Sequence, residues 1–88
     1  MSTDRDSVLA WVIETIGEIK GMPSGEIQAH SDLRRDIGLG SMDEVELMSL
    51  AEEHFGASIP SDSIVDLSRV EQVVDLVLGQ MASGTRRG

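Results

Sequence analysis

Residues 36–43 read Asp36-Ile37-Gly38-Leu39-Gly40-Ser41-Met42-Asp43 and mark the change from an irregular segment to an amphipathic helix. Ser41 fits the N-cap position of this helix, and Glu44 follows at the spacing of a capping box. Gly38 and Gly40 remove side chains from the approach to the serine hydroxyl. The amides and the dipole of a helix N-terminus favour an anionic group at this point. The stretch therefore predicts an exposed, well-held serine where a phosphate group is attached or bound.

On either side of this stretch, apolar residues recur at helical spacing. The pattern predicts a first helix from Asp4 to Lys20, capped by Thr3 or Asp4 and ended by Gly21 and Pro23. The second helix runs from Ser41 to about Phe55, a short third from about 61 to 67 and a fourth from about 69 to 81. We therefore expect an all-α, four-helix bundle with three longer helices and one short helix.

A long loop, residues 21–40, connects the first two helices. Its apolar residues Ile27, Leu33 and Ile37 are irregularly spaced, and we interpret them as anchors that hold the loop on the core. Long loops in small domains are often functional, which agrees with the position of Ser41 directly after this one.

The second helix has two different faces at about 100° per residue. The first is interpreted as the core stripe and contains Leu47, Leu50, Ala51, His54 and Phe55. The opposite face combines apolar side chains with carboxylates: Met42, Val45, Glu46, Ser49, Glu52 and Glu53. Exposed apolar residues surrounded by charge are typical of a docking surface.

The cysteine content and the net charge limit the kinds of partner that this chain can bind. The chain has 88 residues, no cysteine and a net charge of −9, which disfavours nucleic acid and anionic membranes and favours partners with basic patches. We expect one domain at 1–82 followed by a disordered tail at 83–88, a cytoplasmic monomer and no metal site. Without cysteine, any thiol must come from an added group.

The motifs resemble those of acyl carrier proteins over about Val8 to Met81. Residues 36–42 fit the family string D-x-G-x-x-S-[LM], and Val45-Glu46-Leu47 follows at the family's spacing. The segments 52–56 and 59–60 fit its E-E-x-F-[GN] and I-P patterns. One position departs: Gly40 stands where the family usually has aspartate, a carboxylate often used in recognition by the modifying transferase.

The resemblance implies a non-catalytic carrier with 4′-phosphopantetheine on Ser41, donated by coenzyme A through a phosphopantetheinyl transferase. The thiol of the arm would hold acyl groups as thioesters for an acyltransferase, a ketosynthase or other enzymes of fatty-acid or polyketide synthesis. Met42, Glu46, Glu52 and Glu53 match family positions that dock basic patches on these enzymes, and Val45 belongs to the same face. Two alternatives are an aminoacyl or peptidyl carrier, and an unmodified helical interaction module in which Ser41 is only a cap.

Overall fold

The computed structural model describes residues 4–60 and 67–87, with side chains as far as residue 81. Along the chain lie helix α1 at Arg5–Lys20, a 3-10 turn at Ser24–Glu26, helix α2 at Ser41–Phe55 and helix α3 at Val70–Arg87. The all-α class is confirmed. None of the helices in these described segments is long and apolar enough to cross a membrane.

Helix α1 begins and ends as its sequence indicates. The side chain of Asp4 is the N-cap and accepts a hydrogen bond from the Ser7 amide at 2.9 Å. Gly21 ends the helix in the left-handed conformation (φ 68°), which glycine adopts without steric cost. Val8, Val12 and Ile16 are fully buried, four residues apart on one face of the helix.

The long loop is anchored by its apolar residues, as predicted. Ile27, Leu33 and Ile37 are all buried, and Leu39, which the sequence analysis did not single out, is only 2% exposed. A loop of this length needs such anchors because few of its backbone groups have partners within a helix.

Part of the loop pairs with the segment that leads into α3. The Leu33 amide donates to the Ser68 carbonyl at 2.7 Å, and the Val70 amide donates to the Ser31 carbonyl at 3.1 Å. Asp32 and Arg69 form an isolated antiparallel bridge between these hydrogen bonds. The loop that carries Ser41 is therefore fixed to the start of α3 as well as to the core.

Helix α3 supplies the most continuous apolar face. Val70, Val73, Val74 and Val77 are fully buried, and they follow the i, i+3, i+4, i+7 spacing of one helix face. The helix continues to Arg87, so the predicted end near Met81 is wrong: residues 82–87 contain no proline to stop it. The division of the chain into 1–82 and a tail at 83–88 stays a prediction. The short helix predicted at 61–67 falls almost entirely outside the described residues.

The inward face of α2 differs from the predicted stripe. Its buried residues are Glu44, Leu47, Met48 and Ala51, whereas Leu50 and Phe55 are half-buried and His54 is exposed. The predicted stripe included His54 and omitted Glu44, which is buried. With Glu44 turned inward, the face with residues 44, 47, 48 and 51 meets the core, and His54 lies at its edge.

Gly17 lies where α1 meets the long loop. A Cβ at this position would lie 2.7 Å from the Met22 carbonyl oxygen, whereas a Cβ at Gly79 in α3 would meet nothing within 4 Å. Alanine is about 1 kcal/mol better than glycine inside a helix when no contact opposes it.

We therefore expect opposite effects from one substitution at two helical glycines. Gly17→Ala should lower the free energy of unfolding by about 1–3 kcal/mol, because the methyl group forces the backbone apart. Gly79→Ala should raise it by about 0.5–1 kcal/mol. Urea denaturation followed by circular dichroism measures both. A Gly17→Ala protein as stable as the wild type would contradict the close approach of Met22.

Candidate functional site

Ser41 is the first residue of α2, and its side chain is exposed. The N-cap is Gly40, so the prediction that Ser41 caps the helix is wrong. The capping carboxylate is Asp43, whose Oδ2 accepts a hydrogen bond from the Gly40 amide at 3.0 Å. Because the first turn is stabilised by Asp43, the Ser41 hydroxyl is left available for chemistry.

The backbone just before Ser41 is held from inside. Leu39 is buried, and its amide donates to the Leu33 carbonyl at 2.8 Å. Gly38 has a φ of 81°, in the left-handed region that favours glycine. This turn brings the chain from the buried Ile37 and Leu39 out to an exposed serine within a few residues.

An earlier turn in the loop is built around Asp32. Its Oδ1 accepts hydrogen bonds from the amides of Arg34 and Arg35, both at 2.9 Å. These bonds, from Arg35 first and then Arg34, lower the pKa of the Asp32 carboxyl below its ordinary value. Asp36 closes the turn by accepting from the Asp32 amide at 2.7 Å.

Asp43 links the start of α2 to the end of α1. Besides the Gly40 amide, its Oδ2 accepts from the Lys20 ammonium at 3.1 Å. The pKa of the Asp43 carboxyl is lowered from 3.8, mainly by the Gly40 hydrogen bond and then by Lys20. The negative charge also lies at the positive end of the helix dipole, where it is favoured.

Glu44 is directed into the protein. It is 3% exposed, and Nη2 of Arg34 donates to both of its carboxylate oxygens, at 3.0 and 2.9 Å. The role predicted for Glu44 in a capping box is therefore wrong, since Asp43 fills it. The sequence contained a signal for this: Glu44 precedes Leu47, Met48 and Ala51 at the spacing of a core face.

The outward face of α2 has the predicted mixed character. Met42 is 82% exposed and Val45 is 54% exposed, and the side chains of Glu46 and Glu53 are exposed. Glu52 differs because it is half-buried and its Oε2 accepts from the Ile59 amide at 2.7 Å. Glu52 thus holds the segment after α2 and is less free to meet a partner.

A separate groove lies between α1 and α2. It has a volume of about 390 Å³ and is lined by Trp11, Thr15, Glu18, Leu50, Glu53 and His54. The His54 ring stacks on Trp11 with centroids 5.0 Å apart, and Phe55 meets Trp11 edge-on. Trp11 packs against the core, and His54 covers it from the solvent side.

The residues around Ser41 fit a phosphodiester. The hydroxyl is exposed, its N-terminal neighbour Gly40 has no side chain, and a Cβ built there would have only Asp43 Oδ2 near it, at 3.8 Å. The first-turn amides of an α-helix have no acceptors within the helix and attract anionic oxygens.

The comparisons with known proteins agree with this geometry. Residues 10–77 match a family model described as a phosphopantetheine attachment site. The acyl carrier protein of Acidothermus cellulolyticus is 30% identical over 83 residues, which cover 94% of this chain and 99% of that protein. The acyl carrier protein of Trieres chinensis is 32% identical over 82 residues, with coverage of 93% and 99%.

The fold comparison gives the same result. The crystal structure of an acyl carrier protein from Thermotoga maritima superposes with a TM-score of 0.78 at 20% identity and covers 90% of this chain and 92% of that one. The helical fold and the matched site define a carrier protein with a phosphopantetheine attachment domain. The chain belongs to the acyl carrier protein family, whose members are carriers and not catalysts.

The lowered pKa of Asp43 gives a prediction about acid stability. A carboxyl whose pKa is lower in the folded state stabilises the fold fully above its unfolded pKa, and this contribution is lost as the pH falls through the folded pKa. Asp43→Asn should therefore lower the urea midpoint at pH 7. The difference from the wild type should shrink as the pH falls below about 3.8.

Urea titrations at pH 7, 5 and 3 measure this difference. Glu14→Gln is the matched control because the Glu14 side chain is exposed and makes no hydrogen bond to the described part of the chain. The urea midpoint of this variant at pH 7 should stay close to that of the wild type. A constant gap between Asp43→Asn and the wild type at all three pH values would contradict the assigned role of the charge.

Proposed function

We propose that Ser41 is the residue to which 4′-phosphopantetheine is attached. The observation that carries this proposal is the exposed, uncommitted hydroxyl at the first turn of α2, preceded by Gly40 and inside the matched attachment region at 10–77. The phosphopantetheinyl transferase is the expected modifying enzyme, with coenzyme A as the donor.

The chain contributes position and accessibility to this reaction. The Ser41 oxygen forms a bond to the pantetheine-side phosphorus of the coenzyme A pyrophosphate, and the bond from this phosphorus to the bridging oxygen breaks. The nucleotide part leaves as adenosine 3′,5′-bisphosphate, and the serine proton passes to solvent. Once attached, the arm supplies a terminal thiol that carries acyl groups as thioesters. The first turn of α2 provides amides that stabilise the phosphodiester, and the buried Leu39 keeps the serine in place.

We further propose that Met42, Val45, Glu46 and Glu53 form the docking face for partner enzymes, with Glu52 at its half-buried edge. The support is the exposure of two apolar side chains between carboxylates, together with a net charge of −9. Basic patches on acyltransferases or ketosynthases complement this surface and accelerate encounter. A cytoplasmic location and a role in fatty-acid or polyketide synthesis are part of the same proposal.

The loading of Ser41 is the first test. Purified protein is incubated with coenzyme A and a broad-specificity phosphopantetheinyl transferase, and the intact mass is measured. The wild type should gain the mass of one phosphopantetheine, whereas Ser41→Ala should gain none.

Ser41→Ala is also a control for folding. Because Gly40 and Asp43 provide the cap, this variant should differ from the wild type by no more than about 0.5 kcal/mol in unfolding free energy. If the wild type stays unmodified, Gly40→Asp is the next variant, since aspartate usually precedes the serine in the family. Failure of both proteins to load would favour the unmodified interaction module.

Charge reversal tests the docking face. Glu46→Lys and Glu53→Lys should each slow loading several-fold at low salt and less at high salt, because Coulomb attraction between exposed groups is screened. Glu14→Lys makes the same charge change on the exposed surface of α1 and should have a smaller effect. Initial loading rates at two salt concentrations are the measurement. Equal slowing by all three variants would show that the rate depends only on the net charge of the protein and not on a docking face.

The aminoacyl carrier is distinguished by what the loaded arm accepts. A holo protein that is acylated by a fatty-acid or polyketide acyltransferase, and not by an amino-acid-activating enzyme, supports the acyl carrier. The reverse preference would support the aminoacyl alternative.

A further inference from the structure

The buried carboxylate of Glu44 lies one turn below Ser41 in α2. Its side chain is 4% exposed, whereas that of its partner Arg34 is 56% exposed. Arg34 belongs to the long loop and precedes Ser41 by seven positions. The ion pair therefore joins the loop that leads to the serine with the helix that the serine begins.

A buried carboxylate without a partner is costly, because it loses its hydration and gains nothing in return. Both oxygens of Glu44 are satisfied by Nη2 of Arg34. Because both bonds come from one nitrogen, a loop displacement that withdraws the Arg34 guanidinium would break both together. The pair thus restrains the loop segment that ends at Ser41, in addition to the apolar anchor Leu39.

The neighbouring Arg35 provides an internal comparison. It is also exposed, and its backbone amide takes part in the Asp32 turn. In the described segments of the chain, its guanidinium forms no ion pair or hydrogen bond. Of these two adjacent arginines, only Arg34 reaches a buried carboxylate in α2, whereas the charge of Arg35 acts on the Asp32 carboxyl within the loop.

We propose that Arg34, through Glu44, is a positioning residue for Ser41 during attachment of the arm. This inference rests on the proposed modification of Ser41. Arg34 does not contact the reacting atoms. It restricts the loop, so that the serine oxygen stays in one position. The rate of a reaction between positioned groups falls steeply when that position is less well defined.

The kinetic consequence is specific. The docking face at Met42, Val45, Glu46 and Glu53 lies on α2 itself and is not tied to the loop. Loss of the Arg34–Glu44 pair should therefore leave the KM for the carrier nearly unchanged and lower kcat. A loss of docking would instead raise the KM and leave kcat nearly unchanged.

The test compares Arg34→Met with Arg35→Met as substrates of a broad-specificity phosphopantetheinyl transferase, with coenzyme A in excess. Both variants remove one positive charge from the same loop. Arg34→Met should lower kcat about tenfold with KM within about twofold of the wild type, and Arg35→Met should load like the wild type. Equal kcat values for the two variants would overturn the positioning role.

Two further variants separate positioning from stability. Arg34→Lys keeps the charge but lacks the planar guanidinium, so its kcat should lie between those of the wild type and Arg34→Met. Ile16→Val weakens the core of α1, where Ile16 is fully buried, and should load normally at a temperature at which all variants are folded by circular dichroism. If Ile16→Val lost as much kcat as Arg34→Met, reduced stability would explain the effect and the proposal would fail.

The outcomes for the two proposals are distinguishable. If neither the wild type nor Gly40→Asp gains a phosphopantetheine, the modification of Ser41 itself is contradicted. A wild type that loads normally, beside an Arg34→Met variant that loads as fast as Arg35→Met, contradicts only the positioning role.

Discussion

Leu33 is the point at which the loop, helix α3 and the serine segment meet. Its side chain is fully buried. Its amide donates to Ser68 in the segment before α3, and its carbonyl accepts from Leu39, two residues before Ser41. Leu33 thus has a buried apolar side chain, and both its amide and its carbonyl are hydrogen-bonded. Because of these contacts, the irregular loop holds the segment before Ser41 in a fixed position.

Some charged side chains of this acidic chain form ion pairs between different parts of the fold, and others stay unpaired on its surface. Among the described residues, three ion pairs join different parts of the chain: Arg5 with Asp75, Lys20 with Asp43, and Arg34 with Glu44. The first is exposed, and such pairs contribute little to stability. The other two flank the start of α2, where partial or full burial makes pairing more important. Within the described residues, no basic group pairs with Glu46 or Glu53, so the acidic surface of α2 is left available for basic partners.

Much of this architecture could be predicted from local chemistry. Asp4, Gly21 and Gly56 fix helix ends in ways that their residue types dictate, and apolar side chains in a polar loop correctly indicated anchors. The inward face of α2 was predicted wrongly, although residues 44, 47, 48 and 51 have the spacing of one helix face. Glu44 was predicted only as part of a capping box and was left out of the core face, where isolated carboxylates are rare. Its burial depends on an arginine ten residues earlier in the chain, and the helical spacing of α2 cannot reveal such a partner. His54 was misplaced for the same reason, since the true face is rotated towards Met48.

The identity of the cap connects the fold to the chemistry of Ser41. Had Ser41 been the N-cap, its oxygen would accept a hydrogen bond from the first turn, and modification would compete with helix stability. The structure avoids this conflict because the N-cap is Gly40, one residue before Ser41, and the Asp43 carboxylate accepts the hydrogen bond from the Gly40 amide. The departure at Gly40 is consistent with this arrangement: the Asp43 carboxylate already lies 3.8 Å from the place of a Cβ at residue 40. A second carboxylate there would share the same helix end and repel the first. In this chain the negative charge that helps the helix begin comes from residue 43, and the residue before the serine contributes open space.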